Sequence, residues 1–135
     1  MIDAIFCYNI AAQVAFQDYY VNTLGSLFAP GDPRCQWECD RRRLDSGHKE
    51  ETFSPPFDHV ERVWHEETKV VTDDAFVKYL TTQSAYQGLL RKNPNHDPLQ
   101  KLKHVLAADN GKRGGQLKVV FPFWLIIGSK PGQKL

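Results

Sequence analysis

The chain has little of what marks a disulfide scaffold, a nucleic-acid binder or a membrane protein. Its 135 residues hold only 3 cysteines, and a small odd number of thiols suits a reducing compartment, so the cytosol is the expected location. Neither sign of charge dominates: 17 Lys and Arg face 16 Asp and Glu. The basic run Arg41-Arg42-Arg43 is flanked by Asp40 and Asp45, so no field draws in a polyanion and no nucleic-acid partner is expected. Long apolar runs are missing as well. The longest, Val119 to Ile127, contains Pro122 and is far shorter than the roughly 20 residues a spanning helix needs, so no membrane partner is expected. The start lacks a basic segment and carries Asp3, which disfavours a signal peptide. No Gly-x-Gly-x-x-Gly turn occurs, and Gly111 to Gly115 precedes a strand where a phosphate-cradling turn would precede a helix. Gly-x-Ser-x-Gly is absent too, and His65-Glu66-Glu67 lacks the second histidine of a metallohydrolase helix, Lys69 standing in its place.

What is present reads as one α/β domain. Ile2 to Ile10 has the length and apolar content of a buried strand, although so short a run also fits a helix. From Ala11 to Phe28, Val14, Phe16, Tyr20, Val21, Leu24 and Leu27 recur at helical spacing on one side. Ala29-Pro-Gly-Asp-Pro33 must break that helix. Arg34 to Glu51 shows no apolar period and reads as a long loop with one short helix around Trp37. His59 to Val71 reads as a strand of weak alternation. Thr72-Asp73-Asp74 caps a helix whose apolar positions are Phe76, Val77, Leu80, Tyr86, Leu89 and Leu90. Asp97 as N-cap and Pro98 at the first helical position open another, carrying Leu99, Leu102, Val105 and Leu106. Leu117 to Ser129 reads as the closing strand, buried on both faces because polar alternation is missing from Val119 to Ile127.

Several of these segments, in this order, resemble the C-terminal part of class I S-adenosylmethionine-dependent methyltransferases of the trans-aconitate methyltransferase-like group (methyltransferase type 11). Ile5-Phe-Cys-Tyr-Asn9 resembles that family's fifth strand. Tyr19-Tyr20, Leu24-Gly25 and a following Trp resemble the helix and aromatic approach after it, and Phe53 to Phe57 resembles a Phe-Pro-Phe segment. Tyr79-Leu-Thr-Thr-Gln-Ser-Ala-Tyr86 is similar to a Tyr-Leu-x-Thr-Trp-Ser-Ala pattern, with Gln83 where Trp is usual. Asp97-Pro98-Leu99 and Phe121 to Pro131 match the last helix and strand. The resemblance covers nearly the whole chain, and it implies the C-terminal half of a Rossmann-like methyltransferase fold: the last three strands plus cap helices. Ile2 to Ile10, Leu117 to Ser129 and His59 to Val71 would then be neighbours in one sheet. Residues 1–28 supply a strand and helix, 29–58 a loop or cap insertion, and 59–135 a strand, two helices and the closing strand.

The implied activity is methyl transfer from S-adenosylmethionine to a small-molecule acceptor, with this chain as the acceptor-binding half. The turn that binds the cofactor is not in it, so the chain reads as a truncated piece, incomplete for catalysis. A non-catalytic α/β interaction module, associating through an exposed strand edge, is the alternative. Tyr8 and Asn9, where the first strand ends, are candidates for the floor of the acceptor pocket, against a core tyrosine and a turn asparagine. By resemblance, Trp37, Phe57 and Trp64 with Tyr79, Ser84 and Tyr86 would line it, against plain packing. Cys35, Cys39 and His48, with Cys7 as a fourth ligand, invite a zinc site, but no second close pair follows and Cys7 falls in a buried strand. His59 and His65 share a strand face, where a solvated pair is the expected reading.

Overall fold

The computed structural model describes residues 6–7, 9–45, 57 and 59–129, so Tyr8, His48 and the Phe53 end of the Phe-Pro-Phe segment lie outside the described residues. In chain order the elements are β1 (Phe6–Cys7), α1 (Ile10–Asp18), a π-helical turn (Tyr19–Thr23), α2 (Arg41–Asp45) and β2 (His59–Thr72). Next come α3 (Asp73–Thr81), α4 (Ser84–Lys92), α5 (Gln100–Asp109), a 3-10 turn (Asn110–Arg113) and β3 (Gln116–Ser129). The strands form one sheet in the order β1-β3-β2, both neighbours running antiparallel to β3. The three expected segments are therefore side by side. No described helix is long and apolar enough to cross a membrane.

Where helices start and stop, the local chemistry is visible. Asn9 is extended, and its side chain accepts from Ala12 N, so α1 begins at Ile10. The strand expected to reach Ile10 is thus cut at Cys7 among the described residues, and Ile10 is 86% exposed. The helix expected from Ala11 to Phe28 is shorter and changes pitch. It turns π-helical at Tyr19 and closes at Leu24. Val14, about 200° round α1 from Phe16, and Leu27, beyond the helix end, are exposed, while Ala12, Ala15, Phe16, Tyr19, Tyr20 and Leu24 are buried. The wider π turn shifts the phase of the stripe, and small alanines let α1 lie close on α5. Gly25 then supplies the left-handed residue that ends the helix, with φ 67°.

Thr72 caps α3 as the sequence indicates, its side chain accepting from Ala75 N. The single helix expected through Leu90 is two. Thr81 and Thr82 turn their hydroxyls back to the carbonyls of Lys78 and Tyr79, and Gln83 is extended at ψ 139°, so the chain restarts at Ser84. Asp97 acts one turn ahead of its expected place: its carboxylate accepts from Leu99 N, Pro98 and Leu99 form the turn, and α5 proper begins at Gln100. No helix forms around Trp37; the short one is α2, and Trp37 is buried from an extended stretch.

The core lies between α1, α3, α4, α5 and the first residues of β3. Phe16 stacks on Tyr20 at 5.8 Å and tilts against Phe76 at 5.9 Å, with Leu80, Leu99, Leu102, Leu106, Leu117 and Val119 closing around them. Each such side chain contributes ~1.5–3 kcal/mol of apolar transfer. Beyond Phe121 the closing strand leaves this core, contrary to the reading of burial on both faces. Phe123, Trp124 and Leu125 are 47%, 41% and 56% exposed, and among the described residues β1 pairs with β3 only at Val119 and Val120. At Gly25 an added Cβ would overlap the Arg34 carbonyl. Gly25→Ala is therefore expected to cost about 3 kcal/mol, combining left-handed strain with that overlap, measured as a lowered urea midpoint.

Candidate functional site at the carboxyl ends of the strands

Because β1 and β2 both oppose β3, they run parallel to each other, and their carboxyl ends open on one side of the sheet. Open α/β sheets bind ligands on that side. Asn9 follows β1 there, Asp73 follows β2, and the 3-10 turn ending at Arg113 leads into β3. Arg113 draws these together. Its guanidinium donates to both oxygens of Asp73 at 2.7 and 3.0 Å, to Asp109 Oδ1 at 3.0 and 3.1 Å, and to the carbonyls of Leu106 and Gln116. Asn9 Nδ2 donates to Asp109 at 2.9 Å, and Asn110 Nδ2 to Asp73 at 2.7 Å. Hydrogen bonds from Arg113 hold both carboxyls below the ordinary aspartate range, against a smaller opposing effect of desolvation. Arg113 is raised in turn by Asp73, first of its partners.

Beside this network a groove of about 400 Å³ runs between α3 and α5, lined by Asp73, Asp74, Val77, Lys103, Leu106, Ala107 and Asn110. Its volume falls in the range of small-molecule sites. Val77, Leu106 and Ala107 give it an apolar floor; Asp74 offers an exposed carboxylate, and Lys103 reaches Asp97 at 2.6 Å. Hydrogen bonding to Asp97 raises the lysine, which keeps its charge. Such a groove can orient a polar small molecule by charge and hydrogen bonds. Asp73, held ionised by Arg113, serves as an acceptor and not as a proton store.

The residues expected to line a pocket are spread over the molecule. Among the described ones Asn9 stands at the carboxyl end, committed to capping α1 and holding Asp109. Trp37 is buried 6.1 Å from the Tyr20 ring, with the Arg41 guanidinium 4.7 Å over its own ring. Tyr20 OH donates to Asp45 and accepts from Arg41 at 2.8 Å, which closes that cluster. Tyr86 is core, Ser84 is exposed at the start of α4, and Tyr79 stands edge-on to Phe121 at 5.6 Å. Trp64 packs on Trp124 at 4.5 Å along the outer ribbon, and Phe57 lies against Gly128 near its far end. Burial pushes the Cys7 thiol up to about 12, so it stays protonated, while Cys39 is exposed. Arg113, Asp74, Lys103 and Asn110 escaped the sequence reading. Arg113 and Asp73 are 40 residues apart, and no local spacing announces such a pair.

No protein-family model matches the chain, and no curated protein matches it. A solved structure from Anaeromyxobacter dehalogenans, described as a candidate type II methyltransferase, is similar in fold, with a TM-score of 0.64 and 24% identity. The match covers 90% of this chain and 46% of that protein, so the chain spans about half its length. The likeness is one of fold. S-adenosylmethionine would need a glycine-bearing strand-to-helix turn with free main-chain donors. The described turns at Asn9 and Thr72 contain no glycine, and each is closed by its own cap. The residues described here do not fit that cofactor.

Arg113→Ala leaves Asp73 and Asp109, whose side chains are 14% and 23% exposed, without their cationic partner and with Asn110 and Asn9 as their remaining side-chain donors. A loss of about 2–3 kcal/mol is expected by urea unfolding. Because both aspartates are depressed in the folded state, their contribution is present above the unfolded pKa of about 3.9 and lost as pH falls through the lower folded values. The variant should accordingly lose stability less steeply in acid than the parent, and identical acid slopes would refute this account of the network.

Proposed function

We propose that this chain is the acceptor-binding half of an S-adenosylmethionine-dependent methyltransferase that acts on a small molecule. The observation that carries the reading is the sheet: a last strand inserted antiparallel between two mutually parallel ones, in the order β1-β3-β2. That order accords with the family resemblance, and the fold likeness to a candidate methyltransferase supports it. On this reading the α3–α5 groove receives the acceptor, with Asp74, Lys103 and Asn110 as its polar contacts and Val77, Leu106 and Ala107 as its floor. Positioning is the contribution asked of such a half, since methyl transfer demands an in-line approach more than covalent help from the protein. The cofactor half is assigned to sequence outside this chain, and no chemical step is derived through it.

Two measurements test the reading. Titration of the chain with S-adenosylhomocysteine should give no saturable heat; saturable binding would overturn the division of labour. A thermal-shift screen with small acids, amines and hydroxy compounds should find ligands that raise the melting temperature, and Ala107→Trp, which fills the groove, should abolish the shift without lowering the unliganded melt. A panel that shifts nothing, or shifts both proteins alike, removes the groove from consideration. The alternative, a non-catalytic α/β interaction module, draws on one observation, the long exposed ribbon of β2 and β3.

A further inference from the structure

Among the described residues β2 hydrogen-bonds only to β3, and none of them pairs with the opposite edge of the strand. Its register is unbroken from His59 opposite Ser129 to Thr72 opposite Gln116. The segment carries no proline, glycine or bulge, the devices that ordinarily blunt an edge, and it is rich in valine and threonine. Val63, Trp64 and Val70 are 37%, 38% and 59% exposed. Only its charges, Glu61, Arg62, Glu66, Glu67 and Lys69, oppose indiscriminate pairing.

Those charges select a register. A two-fold axis relating two antiparallel copies of one strand stands perpendicular to the sheet and keeps each residue on its own face. Residues directly opposite also share a face, so the axis must pass through a residue and not between two. With the axis at His65, the strand pairs from His59 to Val71. Glu61 then stands opposite Lys69 of the second copy, twice by symmetry, and Val60 opposite Val70. Apart from the central histidines, no like charges face each other. With the axis at Trp64, Arg62 gains Glu66 but Glu61 opposes Glu67. With the axis at Glu66 or Glu67, that glutamate opposes itself, and at Val63 the strand's end leaves Lys69 without a partner; at Thr68, Glu67 gains Lys69 but only Trp64 to Thr72 pair, nine residues against thirteen for the axis at His65. Lys69 lies 3.6 Å from Glu67 and is half-exposed, free to turn outward.

We propose that β2 pairs antiparallel with β2 of a second copy of this chain, His65 lying on the two-fold axis, to give one continuous sheet of six strands. The partner is specified by charge pattern and strand edge alone, independently of any enzymatic role.

Analytical ultracentrifugation across a concentration series tests this. The parent chain should show a reversible monomer–dimer equilibrium. Glu61→Lys and Lys69→Glu should each weaken the dimer by about tenfold or more, because each turns two attractive cross-strand pairs into repulsive ones. The double variant Glu61→Lys/Lys69→Glu restores opposite charges and should recover the parental dimer constant, with circular dichroism confirming that all four proteins are folded. A parent that stays monomeric up to roughly 100 µM, well above a micromolar dissociation constant, overturns the proposal. So does self-association that the single substitutions leave unchanged, or a double variant that fails to recover.

Discussion

Arg113 is the group on which the arrangement of this fold turns. Its planar guanidinium meets the start of α3 at Asp73, the end of α5 at Asp109 and Leu106, and the first residue of β3 at Gln116. Through Asp109 it also reaches Asn9, and so the exit of β1. No other side chain type serves this place equally well. A lysine offers a point charge, whereas the fork of arginine addresses two carboxylates and two carbonyls from fixed directions. The cost of taking three charges out of water is offset because every donor has a partner. The wall of the α3–α5 groove is set by the same contact, since Asp73 and Asn110 line the groove and are held by the network.

The closing strand shows how one segment can belong to two environments. Its first half, Leu117, Val119 and Val120, is buried beneath the helices and beside β1. Among the described residues its second half pairs only with β2, and Phe123, Trp124 and Leu125 lie at the surface, Trp124 against Trp64 and Phe123 beside His65. An apolar run without polar alternation ordinarily signals burial on both faces. Here it yields a two-stranded ribbon with apolar side chains on both faces. Two-stranded ribbons are marginal in water on their own, so this one depends on the first half of β3, which is anchored in the core.

The carboxyl end of the sheet is suited to recognition more than to proton transfer. Asp73 and Asp109 are held ionised by Arg113. At Asp97 burial favours the protonated form, but hydrogen bonds from Lys103 and the Leu99 N–H together outweigh it and keep the carboxyl below its ordinary range. Fixed charges beside an apolar floor orient a ligand, while a general base would need a group poised near the working pH. The fold likeness to a candidate methyltransferase spans about half of that protein.

The sequence by itself determined the elements whose signals are local. Thr72 with two acidic residues behind it starts a helix whatever surrounds it, Asp97-Pro98 starts another within a turn of its expected place, and Gly25 stops one. The order of three strand segments was legible as well, through their resemblance to a family with a fixed sheet order. Tertiary structure decided the rest. Packing chose the face of α1 that carries Phe16 and left Val14 on the other, Leu27 fell beyond the helix end, and the back-bonding of Thr81 and Thr82 split one amphipathic stripe into two helices. Of the residues expected around a pocket, Asn9 reached the carboxyl end of the sheet, whereas Trp37 and Tyr86 went into the core and Trp64 and Phe57 to the ribbon. Asp73, Asp74, Val77 and Leu106 were legible as helix residues but not as neighbours in a groove, because Arg113 and Asp73, 40 residues apart, meet only when α3, α5 and β3 converge. Capping and turn chemistry act within a few residues and can be read along a chain; ion pairing and burial act across it, and exist only once the chain has folded.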